Sequence, residues 1–273
     1  MVGRDYVSND HVALAVDLHV ITQAGYEIVP LGELVDRFNR EQLGIPRTTA
    51  ERSYLALTFD DGPEYDVVDY LHPYLGFQRS FLGILQDFAA SQAGPRQRNL
   101  CATSFVIASP EARMAIESAT SSPYFLHPGA MNQDWWSGAV DSGLISVGNH
   151  SWDHLHPALT SVAHSRQAKG DFSQVDNEGD ADAQILEAGR YIDKRVKGRL
   201  SPFFAYPFGQ YSRFLVEEYF PGNQSRTGVA AAFTVDARPL RRSESVWSLP
   251  RYSCGYNWTT PEQLGELLAA TPA

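Results

Sequence analysis

Short apolar runs alternate with longer segments of mixed polarity along most of this chain. Tyr54-Leu55-Ala56-Leu57-Thr58-Phe59 predicts a strand buried on both faces, and it breaks off abruptly at Asp60-Asp61-Gly62-Pro63. Ala102 to Ile107, Leu144 to Val147, Phe203 to Tyr206, Ala230 to Val235 and Val246 to Leu249 predict further strands. Between them lie helical patterns. Asn9 or Asp10 can cap a helix through about Ala24, which Gly25 ends; Leu14, Leu18 and Ile21 give it an apolar face. Ile28-Val29-Pro30-Leu31 reads as a short strand or turn, and Leu34 to Phe38 as a helical turn. Pro110 to Ala119, Asn132 to Ser142 (closed by Gly143), Asp180 to Val196 and Pro261 to Ala270 read as helices. This alternation predicts an α/β fold with a parallel sheet. With no repeat and no linker, 1–273 is expected to be one domain. Residues 1 to about 50 form an N-terminal helical extension to it, and about 64–99 a helix-rich insertion.

Length and charge narrow the picture. A chain of 273 residues fits a single α/β barrel and needs no disulfide scaffold. Lys and Arg number 22 against 32 Asp and Glu, a net charge of -10, which argues against nucleic acid as a partner. Cys101 and Cys254 fit no paired zinc spacing; a disulfide and two free thiols both remain open. No stretch approaches the 18 apolar residues of a membrane span. Asp17 and His19 interrupt the apolar residues near the N-terminus, so no signal peptide is visible. The expected location is cytoplasmic for the chain as given, with export open if a leader has been trimmed.

Two groups of residues carry chemistry. Asp60 and Asp61 follow a strand at its carboxyl end, where parallel α/β folds place their sites. Adjacent carboxylates there need partners, and one solution gives one of them a cation and leaves the other as a base. Turn statistics explain Asp-Asp-Gly-Pro equally well. His150 and His154 are four apart, a spacing that puts both imidazoles on one face of a helix. Two histidines and one carboxylate make a three-ligand set with open positions, suited to catalytic zinc or another divalent first-row metal.

Together these residues resemble a known family. Thr58-Phe59-Asp60-Asp61-Gly62-Pro63 followed by His150-Ser151-Trp152-Asp153-His154 is similar to the first two motifs of the NodB-type polysaccharide deacetylases, the family-four carbohydrate esterases. Ala102-Thr103-Ser104-Phe105-Val106 resembles the strand between them, and Phe204-Ala205-Tyr206-Pro207-Phe208-Gly209 the third motif. The similarity runs from about residue 54 to about 255. It implies a distorted (β/α) barrel of about seven parallel strands and hydrolysis of N-acetyl groups from amino sugars. Carried over, Asp60 is the general base, and Asp61, His150 and His154 hold the metal: Zn2+, with Co2+ or Ni2+ as alternatives. Tyr206, Pro207 and Phe208 line the substrate or oxyanion side, with the Phe208 N–H as oxyanion donor. Ser151 would orient a histidine from outside the ligand set.

The sequence departs from the family in two places. The third motif usually begins with arginine; Ala205 stands there, as in a subgroup with an Ala-Tyr-Pro form. Leu249-Pro250-Arg251 resembles that subgroup's closing segment, which gives Arg251 a contact with Asp60 or substrate. The family's late histidine, the acid for the leaving amine, has no counterpart after His164. His127, His156 or a water on the metal are the substitutes. His127 reads as structural or exposed, and His156 as facing away from the metal if its segment is helical. Trp135-Trp136 reads as core packing, with a sugar-stacking subsite as the alternative. The expected partner is an N-acetylated saccharide. A deformylase or O-acetyl esterase with the same site, and a saccharide-binding protein without turnover, are the alternatives.

Overall fold

The computed structural model describes residues 3–44, 53–119 and 127–270. The end of the N-terminal extension, from 45 to 50, lies outside them. The chain opens with helix α1 (Asp10–Gln23), where Asn9 is the cap: its side chain accepts from the N–H groups of His11 and Val12. Strand β1 (Glu27–Ile28) and helix α2 (Leu31–Gln42) follow. The apolar run from Tyr54 to Phe59 is two strands. β2 (Tyr54–Leu55) pairs with β1, and β3 (Leu57–Phe59) joins the main sheet. Its residues are only half-buried, against the expectation of burial on both faces, because β3 is an edge of that sheet.

The 64–99 segment holds less helix than expected. A short turn leads to the hairpin β4 (Tyr70–His72) and β5 (Gly76–Gln78), then helix α3 (Phe81–Ala90), capped by the Ser80 hydroxyl. Next come β6 (Ala102–Val106), α4 (Pro110–Ala119), α5 (Trp136–Ser142) and β7 (Ile145–Asn149). Gly143 ends α5 at φ 72°, as its position predicts. The helix expected from Asp180 runs from 178 to 195 as α6 (Glu178–Ala181), one wide π-type turn (Asp182–Leu186), and α7 (Glu187–Arg195). The chain finishes with β8 (Phe203–Ala205), α8 (Phe220–Thr227), β9 (Ala231–Phe233) and α9 (Pro261–Ala270).

The main sheet is parallel, in the order β3-β6-β7-β8-β9. It curls into a half-barrel with helices around it. Among the described residues it has five strands, against the seven the resemblance implies. The run from Val246 to Leu249 forms no full strand; it lies along β9 through a bridge from Leu249 to Phe233. Phe105, Phe203, Ala205, Ala231 and Phe233 pack on Leu31, Val35 and Phe38 of α2. On the other face Ala102, Val106, Ile145 and Val147 pack against α1, α3, α5 and α7. Trp135 and Trp136 belong to this second core, so the core reading holds and they offer no open ring to a sugar. Cys101 and Cys254 are both free. No helix among the described residues is long and apolar enough to cross a membrane.

Candidate active site

Parallel strands deliver their carboxyl ends to one rim, and that rim gathers the motif residues. Asp60 and Asp61 leave β3, and His150 leaves β7. Asp61 takes a left-handed backbone (φ 72°), and Gly62 follows at φ 70°. A side chain at Gly62 would put its Cβ 2.6 Å from Val106 Cγ1, so the tight turn requires glycine. This pair of left-handed residues swings Asp61 away from Asp60 and towards the histidines. Asp61 Oδ1 lies 3.6 Å from His150 Nε2 and 3.5 Å from His154 Nε2.

His150 and His154 meet without a helix. The segment is a loop with left-handed residues at Ser151 (φ 73°), His154 (φ 60°) and Leu155 (φ 44°). Polar side chains replace helical hydrogen bonds there. Asn149 Oδ1 accepts from the Ser151 N–H, Ser151 Oγ from the His154 N–H, and Asp153 Oδ1 from the Leu155 N–H. Ser151 thus fixes the backbone of His154 rather than its ring. The π-type turn supports the loop from below. Its Gln184 and Ile185 carbonyls accept from the Trp152 N–H and the Asn149 side chain, and the Gln184 amide donates to Asp153 Oδ1.

The donor set fits a divalent cation. His150 Nδ1 lies 2.8 Å from the Ala205 carbonyl, so it carries the proton and leaves Nε2 with a free lone pair. Burial lowers the His154 pKa well below the usual histidine value, with His150 and His156 adding to the effect, so His154 is a neutral imidazole. The ligand atoms of Asp61, His150 and His154 lie within 4.8 Å of one another. Tetrahedral ligands at zinc distances sit about 3.4 Å apart, close to the two Asp61 spacings.

Asp60 points the other way, to Arg251. The guanidinium donates to both carboxylate oxygens at 2.8 Å, to Thr58 Oγ1 at 3.0 Å and to the Thr234 carbonyl at 3.1 Å. Arg251 therefore staples β3 to the chain after β9, across the open side of the half-barrel. Burial alone would raise the Asp60 pKa. The Arg251 charge and its hydrogen bonds outweigh burial and hold it at about 2.

The third motif contributes less than the resemblance implies. The Tyr206 ring is fully buried, its hydroxyl donates to the Trp247 carbonyl, and its N–H donates to the Phe233 carbonyl. Pro207 is buried and has no N–H. Neither is free to reach substrate. Phe208 alone reaches the rim: it is exposed, left-handed (φ 58°), and sets its ring against His154 at 4.3 Å. His156, expected to face away, lies beside the site because the segment is not helical. Its ring centroid is 6.1 Å from that of His154, and it lines the same cleft as Asp60 and Asp61. Burial lowers its pKa, opposed by Asp61. His127 sits apart in a structural cluster, paired with Glu64 at 2.9 Å and set at a tilt against the Tyr70 ring.

One buried carboxyl escaped the sequence reading. Asp66 accepts from Ser104 Oγ at 2.5 Å, while its Oδ1 is buried without a partner among the described residues. Burial pushes its pKa well above the usual carboxylate range; Ser104 opposes this, and Asp10, Asp61 and Asp60 reinforce it. The folded state thus binds this proton more tightly than the unfolded chain. The associated stability is full below the unfolded pKa and falls as pH rises towards the raised one. Asp66→Asn removes that penalty. The variant is expected to unfold at higher denaturant than the wild type at pH 7, with the gap shrinking towards pH 4. Equal midpoints at both pH values would show that the carboxyl is not held neutral.

The sequence model of the polysaccharide deacetylase family matches residues 96–219, a span that includes both histidines and the third motif. No curated protein matches the chain. Among solved structures, the chain is similar to the Streptococcus pyogenes deacetylase PplD in complex with acetate. Identity is 15%, with 93% of this chain and 84% of that one covered and a TM-score of 0.56. It is also similar to a de-N-acetylase from Aggregatibacter actinomycetemcomitans, at 14% identity, with 89% and 83% covered and a TM-score of 0.51. At such identities the likeness is one of fold. Motifs, family match and fold agree in their likeness to the NodB-type polysaccharide deacetylases.

Proposed function

We propose that this protein is a metal-dependent hydrolase that removes N-acetyl groups from an amino-sugar saccharide. One observation carries the reading: Asp61, His150 and His154 converge on one point, while the adjacent Asp60 is kept ionised beside it by Arg251. A divalent cation held by Asp61, His150 and His154, with Zn2+ the first expectation, supplies a Lewis acid for the acyl carbonyl and lowers the pKa of water. Asp60 takes the proton of the attacking water, and Arg251 fixes the direction in which its carboxylate points. The Phe208 N–H faces the acyl oxygen as charge develops there. Asp60 and Asp61 form part of the wall of a cavity of about 890 Å³ that α1, α2 and the segment after β9 also line.

The test compares acyl groups. Purified protein reconstituted with zinc is given N-acetylglucosamine oligomers, their N-formyl counterparts and an O-acetylated sugar. Faster release of acetate from the N-acetyl substrate supports the reading. Faster formate release, or ester cleavage alone, would replace it with a deformylase or an esterase on the same site.

A further inference from the structure

His156 lies outside the set of clustered ligand atoms, yet it shares the cleft with Asp60 and Asp61. Its backbone is held on both sides: its N–H donates to the Asp153 carbonyl, and its own carbonyl accepts from the Leu159 N–H. The ring is held too. The Ala158 N–H donates to Nδ1 at 3.2 Å, which occupies that nitrogen's lone pair. A ring whose Nδ1 accepts is neutral and carries its hydrogen on Nε2. The turn through Pro157 and Ala158 thus sets a hydrogen-bond donor, rather than an acceptor, on the opposite edge of the ring. The residue lines the cavity that Asp60 and Asp61 also line, and its ring stands 6.1 Å from that of His154.

We propose that His156 is a substrate-contacting residue whose Nε2–H donates a hydrogen bond to the acyl oxygen of the substrate beside Asp61. This rests on the hydrolase reading above. A neutral donor needs no proton transfer; it strengthens as negative charge grows on the oxygen, so its contribution falls mainly on kcat. The geometry also separates two amide replacements. Glutamine can place an N–H where Nε2 stands, whereas asparagine reaches only as far as Nδ1.

Three readouts test this. In metal-free protein, NMR of the ring nitrogens is expected to show His156 with Nε2 protonated and Nδ1 bare. His156→Ala and His156→Asn are expected to lower kcat for acetate release about 10²-fold with KM little changed, and His156→Gln to recover part of the loss. Zinc content is expected to equal that of the wild type in all three. A proton on Nδ1, an unchanged kcat in His156→Ala, equal loss in the Gln and Asn variants, or loss of zinc would each overturn the assignment. Loss of zinc would make His156 a ligand instead. No turnover by the wild type would overturn the hydrolase reading, and the ring tautomer would still decide whether the donor is set as described.

Discussion

Asp60→Asn is expected to reduce acetate release by about 10²–10⁴-fold, the range removed with a general base, while zinc binding stays near the wild-type stoichiometry. The carboxamide keeps the size of the side chain but cannot take a proton. Asp61, not Asp60, faces His150 and His154, so the ligand set survives the change. The substitution also leaves Arg251 without its anionic partner, so some stability is lost; circular dichroism and metal content separate that from chemistry. Full turnover in the variant would remove Asp60 from the mechanism. A wild type that binds saccharide but releases nothing, with an Asp60→Asn variant that binds equally well, would make the protein a binder.

The second large effect is expected at Arg251. Its side chain is only 11% exposed and joins Asp60, Thr58 and Thr234 while lying over the Phe105 ring. Arg251→Ala is expected to cost about 2–4 kcal/mol of stability, as when one partner of a largely buried pair is removed. It is also expected to lower kcat at least about 10-fold, because the base loses its orientation. Lysine is not expected to rescue it, since an ammonium cannot make the paired contact to both oxygens. The pH profile adds a signed test. With Arg251 present the Asp60 pKa is about 2, so the base is ionised throughout the neutral and mildly acidic range. The stability tied to that low value is present above the unfolded carboxylate pKa and is lost as pH falls through the folded one. Without Arg251, burial acts on Asp60 with less opposition, and activity should fall away at a higher pH than in the wild type. Superimposable acid limbs in kcat against pH would contradict the pairing.

The chain announced its strands through apolar runs such as Ala102 to Val106, and its helix ends through Asn9 and Gly143. Chemistry at strand ends was legible too, because Asp60-Asp61 and His150 stop such runs abruptly. The path between the two histidines was not. A four-residue spacing reads as helix, yet Asn149, Ser151 and Asp153 each bond a nearby backbone N–H and hold a left-handed loop instead. Those three polar residues were the available signal, since such side chains compete with helical hydrogen bonds. The same misreading turned His156 away from the site. The π-type turn at Asp182–Leu186 left no mark in the periodicity, although it supports the loop. Tyr206 looked like a substrate contact because it sits in a motif; only tertiary packing reveals that its hydroxyl is spent on Trp247. Arg251 was placed near Asp60 by its Leu-Pro-Arg context, but the double contact spans 191 positions of sequence and depends on the sheet curling far enough to bring them together.

The central claim is that Asp61, His150 and His154 hold one metal and that acyl hydrolysis depends on it. The direct measurement is metal content by elemental analysis, paired with acetate release from N-acetylglucosamine oligomers, on protein as purified, after chelation, and after return of zinc. The expected result is about one metal per chain, loss of acetate release on chelation, and its return with zinc. Protein that takes up no metal on reconstitution, or that releases acetate equally well without one, would contradict the account.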